Sequence, residues 1–170
     1  MNARIRRLSL AAAVSAALVA SALTTTASGA GADSLAAVRH VTAKYHDVEA
    51  AVADGYVPIS DCVAGPDGVM GFHYAKPALL GQPVDALHPA LLLYVPGDEG
   101  LELAGVEYFH ADADQDLSTD DDRPTLFGQP FDGPMEGHGG GMPRHYDLHV
   151  WIWKHNPAGM FAEFNPALSC

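Results

Sequence analysis

The chain is poor in cysteine, in positive charge and in uninterrupted apolar sequence. Only two cysteines occur, Cys62 and Cys170, which excludes a dense disulfide scaffold and a cysteine-built zinc module. Lys and Arg number nine against 21 Asp and Glu. Three of the nine, Arg4, Arg6 and Arg7, lie in the first 32 residues, which contain no acid. The remainder therefore carries six basic against 21 acidic residues, a formal charge of −15. Such a surplus excludes nucleic acid and anionic membrane surfaces as natural partners. The longest apolar run, from Leu8 to Leu23, is shorter than the ~20 residues a spanning helix needs, so no stable membrane anchor is expected. No Gly-x-Ser-x-Gly elbow is present, and Ser60 and Ser118 stand in no nucleophile motif. The glycine run around His138 lacks the lysine and the strand-to-helix setting of a phosphate loop.

The first segment has the layout of an export signal. A short basic stretch precedes the apolar run, and Ala30-Gly31-Ala32 offers small residues for cleavage after Ala30 or Ala32. Residues 1–32 are thus expected to be a signal peptide and 33–170 a single secreted, extracellular domain. In that oxidising setting Cys62 and Cys170 are expected to pair, closing a loop of roughly a hundred residues.

Within the domain, Leu35, Val38, Val41, Tyr45, Val48 and Val52 recur at three- and four-residue spacing. This pattern predicts one amphipathic helix over 34–54, capped by Asp33 or Ser34 and stopped by Gly55. Strands are predicted over 69–74, 90–95, 101–110 and 145–153, with Pro96 to Gly100 turning the second and third into a hairpin. The fold class is α+β: an N-terminal amphipathic helix on an antiparallel sheet of about four to five strands, with curling towards a barrel as an option. Residues 111–144 show little periodicity and read as a long excursion clipped by Leu126-Phe127.

The chemistry-bearing residues sit in the strands. Alternation puts His145, Asp147, His149, Trp151 and Trp153 on one face of the last strand. The plainer reading of that pattern is a solvated polar end on a strand whose aromatic end is core. His73 and Glu107 are polar residues inside apolar strands, where an inward-pointing group needs a partner. His73, Glu107 and His149 would form a two-histidine, one-carboxylate face for a divalent metal such as zinc, copper, iron or manganese. His145 and Asp147 would supply a further ligand or orient one. The competing reading is a hydrogen-bonded Glu–His cluster without metal. Asp112, Asp114, Asp116, Ser118 and Asp120 mimic the opening of a calcium loop. Leu117 stands where glycine is required, however, and Arg123 where the bidentate acid belongs, so a solvated acidic loop with no tight calcium site is expected.

Several segments together resemble a family of small secreted bacterial proteins. They are Thr42-Ala43-Lys44-Tyr45-His46-Asp47, Met70-Gly71-Phe72-His73-Tyr74, Gly105-Val106-Glu107-Tyr108-Phe109, Leu126-Phe127-Gly128-Gln129, Leu148-His149-Val150-Trp151-Ile152-Trp153 and the Asn165-Pro166 to Cys170 ending. The resemblance spans nearly all of 33–170, and the alanine-rich composition resembles that of actinobacterial proteins. The family has no assigned activity, so the resemblance implies secretion and a single domain and brings no catalytic residues.

Three functional classes follow. The first is a secreted metal-binding domain, with or without catalysis. The second is a non-enzymatic binding module whose aromatic pocket of Tyr74, Tyr108, Phe109, Trp151 and Trp153 holds a small apolar molecule. The third is a structural surface protein. Oligomeric state is not legible in the sequence.

Overall fold

The computed structural model describes residues 29–138 and 141–170. Residues 1–28, which hold most of the expected signal, lie outside the described residues. No helix among the described residues is long and apolar enough to cross a membrane.

The N-terminal apolar stripe forms helix but not one continuous helix. Helix α1 runs Gly29–Thr42, a 3-10 turn follows over Ala43–His46, and α2 runs Val48–Ala53. The break is Asp47, whose backbone is extended (φ −86°, ψ 108°) and whose carboxylate accepts from the Glu49 N–H at 3.0 Å. An aspartate that can satisfy a free N–H starts a new helix more favourably than it continues an old one. Gly55 ends α2 with φ +95°, as its position predicts.

The sheet has seven strands, all antiparallel. They are β1 (Val57–Pro58), β2 (Val63–Gly65), β3 (Gly68–Ala75), β4 (Leu91–Gly97), β5 (Gly100–Ala111), β8 (Asp132–Met135) and β9 (His145–Val150). The order across the sheet is β1-β3-β4-β5-β9-β8, with β2 also paired to β3. The predicted β4–β5 hairpin closes at Gly97 opposite Gly100. The segment 111–144 is more ordered than its composition suggests. It contributes β8 to the sheet edge and a small separate hairpin of β6 (Thr125–Leu126) and β7 (Gln129–Pro130). The strands do not close into a barrel; β1 and β8 end the path.

The two faces of the sheet are covered differently. On one face Tyr94, Leu92, Val106, Tyr108, Tyr146, Leu148 and Val150 pack with Val38, Tyr45 and Ala51 of the helical layer. On the other, two smaller apolar clusters form, Val69-Val95-Ala104-Trp151 and Ala75-Ala90-Leu91-Phe109. Irregular chain covers this second face: Cys62 and Leu168 pack on the first cluster, Leu79 and Met142 on the second. Asn165 pairs with Val69 through two backbone hydrogen bonds, and Trp151 Nε1 donates to the Ala162 carbonyl at 2.6 Å.

The Cys62–Cys170 disulfide ties this cover together across a sequence separation of 108, with the two Cα atoms 5.8 Å apart. Loop closure of that length constrains the unfolded chain by roughly 4–5 kcal/mol. Reduction, or a Cys62→Ala/Cys170→Ala double substitution, is therefore expected to lower unfolding stability by about that amount. Urea denaturation of the oxidised and reduced forms measures it, and coincident midpoints would contradict the expectation.

Candidate metal centre

The second face of the sheet carries the polar residues. In β9 all six residues are buried, so the alternation separates two interiors rather than core from solvent. Tyr146, Leu148 and Val150 enter the helical-side core. His145, Asp147 and His149 point the other way and are only 1–2 % exposed, which overturns the reading of a solvated polar end. Glu107 is directly opposite His149 in the β5–β9 register and is 5 % exposed. His73 lies on β3, with β4 between it and β5. Its partner Leu93 faces Gly105, two residues before Glu107. Gly105 is needed here: a Cβ would sit 2.6 Å from the Val150 carbonyl oxygen, so only glycine lets the end of β9 approach β5 beside the site.

The side chains of His73, Glu107 and His149 converge. Glu107 Oε2 is 3.4 Å from His73 Nε2 and 3.8 Å from His149 Nε2. One ligating atom from each of the three lies within 4.8 Å of the others. Asp147 stands behind His149, its Oδ1 3.6 Å from Nδ1. His145 is farther along, with Nε2 3.8 Å from Asp147 Oδ2, Nδ1 paired with the Pro143 carbonyl at 3.1 Å and its ring stacked on Phe109. Of the five expected site residues, three form the cluster. Asp147 backs one of them and His145 backs Asp147.

These separations are too long for hydrogen bonds. Glu107 Oε2, Asp147 Oδ1 and both His149 nitrogens are buried without a hydrogen-bond partner. Leaving such groups unpaired in an interior is costly, and a divalent ion between Glu107 Oε2 and His149 Nε2 would relieve those two. Two imidazoles and one carboxylate are a donor set that suits such an ion. The array can also hold a proton, because its members titrate in opposing directions. Burial holds His73 down at about 4, with the neighbouring His149 adding to the effect. Burial pushes the Glu107 carboxyl up, against the pull of His149. Burial also opposes charge on His149, but the Glu107 and Asp147 carboxylates outweigh it and raise that imidazole.

Ser60 is a neighbour that sequence reasoning missed. Its Oγ is 3.0 Å from His73 Nδ1 and also accepts the His73 backbone N–H at 3.0 Å. It therefore fixes the ring with Nε2 towards Glu107. Glu163, half-buried, lies near enough to act electrostatically on both Glu107 and His149. His138 stands edge-on to His145 with ring centres 5.0 Å apart. None of the three sits in a periodic pattern, so only the folded chain identifies them.

The five aromatic residues of the expected pocket do not lie on one face. The strand ends at Val150, and Ile152 N–H bonds back to the Val150 carbonyl at 2.9 Å, which turns Trp153 to the helical side. There Trp153 meets the His46 ring edge-on and lies under Arg39. Tyr74 and Tyr108 share that side, whereas Phe109 and Trp151 are on the other.

Comparisons of the chain with family models, with curated proteins and with solved structures give no match.

The titration of His73 tests the site's burial. Its contribution to stability is complete above the unfolded value of about 6.5 and is lost as pH falls through about 4. Glu107 works in the opposite sense, since its raised carboxyl favours the fold at low pH and loses that contribution as pH rises. A melting curve reports both groups together, whereas ring-proton NMR resolves the imidazole alone. In metal-free protein the His73 resonance is expected to titrate with a midpoint near 4. A midpoint near 6.5 would mean an accessible imidazole.

Proposed function

We propose that this protein is an exported metal-binding protein that holds one divalent transition-metal ion through His73, Glu107 and His149. One observation carries the reading. Three potential ligands from three strands meet in the interior, Glu107 Oε2 standing 3.4 Å from His73 Nε2 and 3.8 Å from His149 Nε2, too far to bond either closely, and Glu107 Oε2 and His149 Nε2 have no other partners. Nitrogen and oxygen ligands ~2.0–2.2 Å from a shared ion lie roughly 3–4 Å from one another. A hydrogen-bonded cluster of the same residues would close to about 3 Å.

The surroundings support the same reading. A metal-bound imidazole needs its second nitrogen oriented, and Ser60 and Asp147 stand where those partners belong, on His73 Nδ1 and His149 Nδ1. Two imidazoles and one carboxylate leave coordination positions for water or a further ligand, and they suit zinc, copper, iron or manganese. Export is supported by the disulfide and by the acidic surface, both suited to an oxidising extracellular compartment.

The test is metal content and affinity in protein purified without a histidine tag, stripped with chelator and titrated with zinc. Wild-type protein is expected to bind one equivalent. Glu107→Gln keeps the shape and removes the charge, and it is expected to weaken binding by more than the ~10–100-fold typical of losing an outer partner. Ser60→Ala is expected to fall within that ~10–100-fold range. Absence of stoichiometric zinc in folded wild-type protein, or unchanged affinity in folded Glu107→Gln, would overturn the proposal.

A further inference from the structure

The segment from β8 to β9 carries a second set of donors that the histidine–glutamate centre does not use. Met or His stands at 135, 138, 142 and 145. His145 is the buried member, 2 % exposed, with its ring stacked on Phe109 at 4.9 Å between centres. Burial favours the neutral imidazole. Its Nδ1 is 3.1 Å from the Pro143 carbonyl, which can only accept, so Nδ1 carries the proton and Nε2 keeps the lone pair. Nε2 stands 3.8 Å from Asp147 Oδ2. A lone pair and a carboxylate oxygen thus stand close together in the interior with no hydrogen to share, an arrangement that a cation relieves.

The other three donors are brought to the same place. Met135 is directly opposite His145 in the β8–β9 register, and residues paired across strands turn their side chains to one face with Cβ atoms ~5 Å apart. His138 meets the His145 ring edge-on, with centres 5.0 Å apart. Met142 packs on the apolar cluster that contains Phe109, the ring on which His145 stacks. The Met142 backbone also lies against Gly137. A Cβ at 137 would collide with the Met142 carbonyl oxygen and sit 3.2 Å from the Met142 Cβ, so glycine there lets Met142 come up beside the neighbour of His138. Glu136 and Arg144 tie the ends of the segment together through two contacts, at 3.0 and 3.2 Å.

We propose that His138, His145 and Met142, with Met135 as a fourth donor, bind one copper(I) ion. The ring spacing fits such an ion. A metal ~2.0–2.1 Å from one nitrogen of each of two imidazoles, held tetrahedrally, sets the ring centres roughly 5 Å apart. The donor set selects the ion, because soft thioether sulfur favours copper(I) over the harder divalent metals that suit imidazole with carboxylate. The redox setting favours thioether over thiol. The two cysteines of the chain are joined in a disulfide, so methionine is the soft donor that remains for a metal.

This site shares no ligand with His73, Glu107 and His149, so the two stand or fall separately. Asp147 lies between them, its Oδ1 3.6 Å from His149 Nδ1 and its Oδ2 3.8 Å from His145 Nε2. Its charge favours a cation on either side. His138 is exposed and His145 buried, so an ion arriving from solvent meets the outer imidazole first.

The experiment is anaerobic titration of the chelator-stripped, untagged protein with copper(I) against a chromophoric copper(I) chelator, run before and after one equivalent of zinc is added. Wild-type protein is expected to take one equivalent of copper(I) from the chelator in both cases. X-ray absorption at the copper edge is expected to show sulfur together with imidazole. The Met135→Leu/Met142→Leu variant keeps the apolar bulk and removes both thioethers. It is expected to weaken copper binding by more than ~100-fold, beyond the loss of an outer partner. His138→Ala, at an exposed position, is expected to weaken it by more than ~10-fold. No copper retained by the wild type, a copper shell without sulfur, displacement of the copper by zinc, or undiminished affinity in either folded variant would overturn the proposal. The wild-type titration and edge spectrum decide the matter even if a variant does not fold.

Discussion

The structure depends on how one inward-facing row of ionisable side chains is neutralised. His145, Asp147 and His149 from β9, with Glu107 opposite, occupy a face that is otherwise filled by alanine, leucine, phenylalanine and tryptophan. Burying a carboxylate or an imidazolium costs several kcal/mol unless partners replace the lost water. Direct pairing within the row is incomplete, since its neighbouring members stand 3.6–3.8 Å apart. In the proposed reading, a divalent ion held by Glu107 with His73 and His149 would resolve this constraint, with Asp147 and Ser60 orienting the two imidazoles.

The rest of the fold serves that face. The helical layer and the tyrosine-rich core give the sheet one conventional apolar interface. Among the described residues no helix packs on the clusters of the other face, and turns and the C-terminal segment exclude water instead. Such irregular cover is weakly specified by local propensity, and it is held by long-range ties: the Val69–Asn165 bridge, the Trp151 contact to Ala162 and the Cys62–Cys170 bond. These ties place Glu163 and Ser60 beside the buried row.

Much of this was legible in the sequence, for physical reasons. Period-two alternation in β9 and isolated polar residues in β3 and β5 mark His73, Glu107, His149, His145 and Asp147 in the sequence. The two cysteines were recognisable as a pair because nothing else could bond them. Other features were not legible. The break at Asp47 arises from a side chain competing for a backbone N–H, which apolar spacing does not register. The turn after Val150 sends Trp153 to the opposite face because alternation ends where the strand ends. Ser60 is defined by the segment between β1 and β2 that runs along the edge of β3, so it depends on tertiary placement. Strand order across the sheet, which decides whether His73 reaches Glu107, is likewise a property of the whole chain.

The central claim is that the cluster is a metal centre and not a structural knot of hydrogen bonds. X-ray absorption at the zinc edge, on protein loaded with one equivalent and desalted, tests it most directly. The account predicts a shell of nitrogen and oxygen at ~2.0–2.1 Å with the outer scattering of two imidazoles and no sulfur. Zinc lost on desalting, or a shell without two imidazoles, would contradict it.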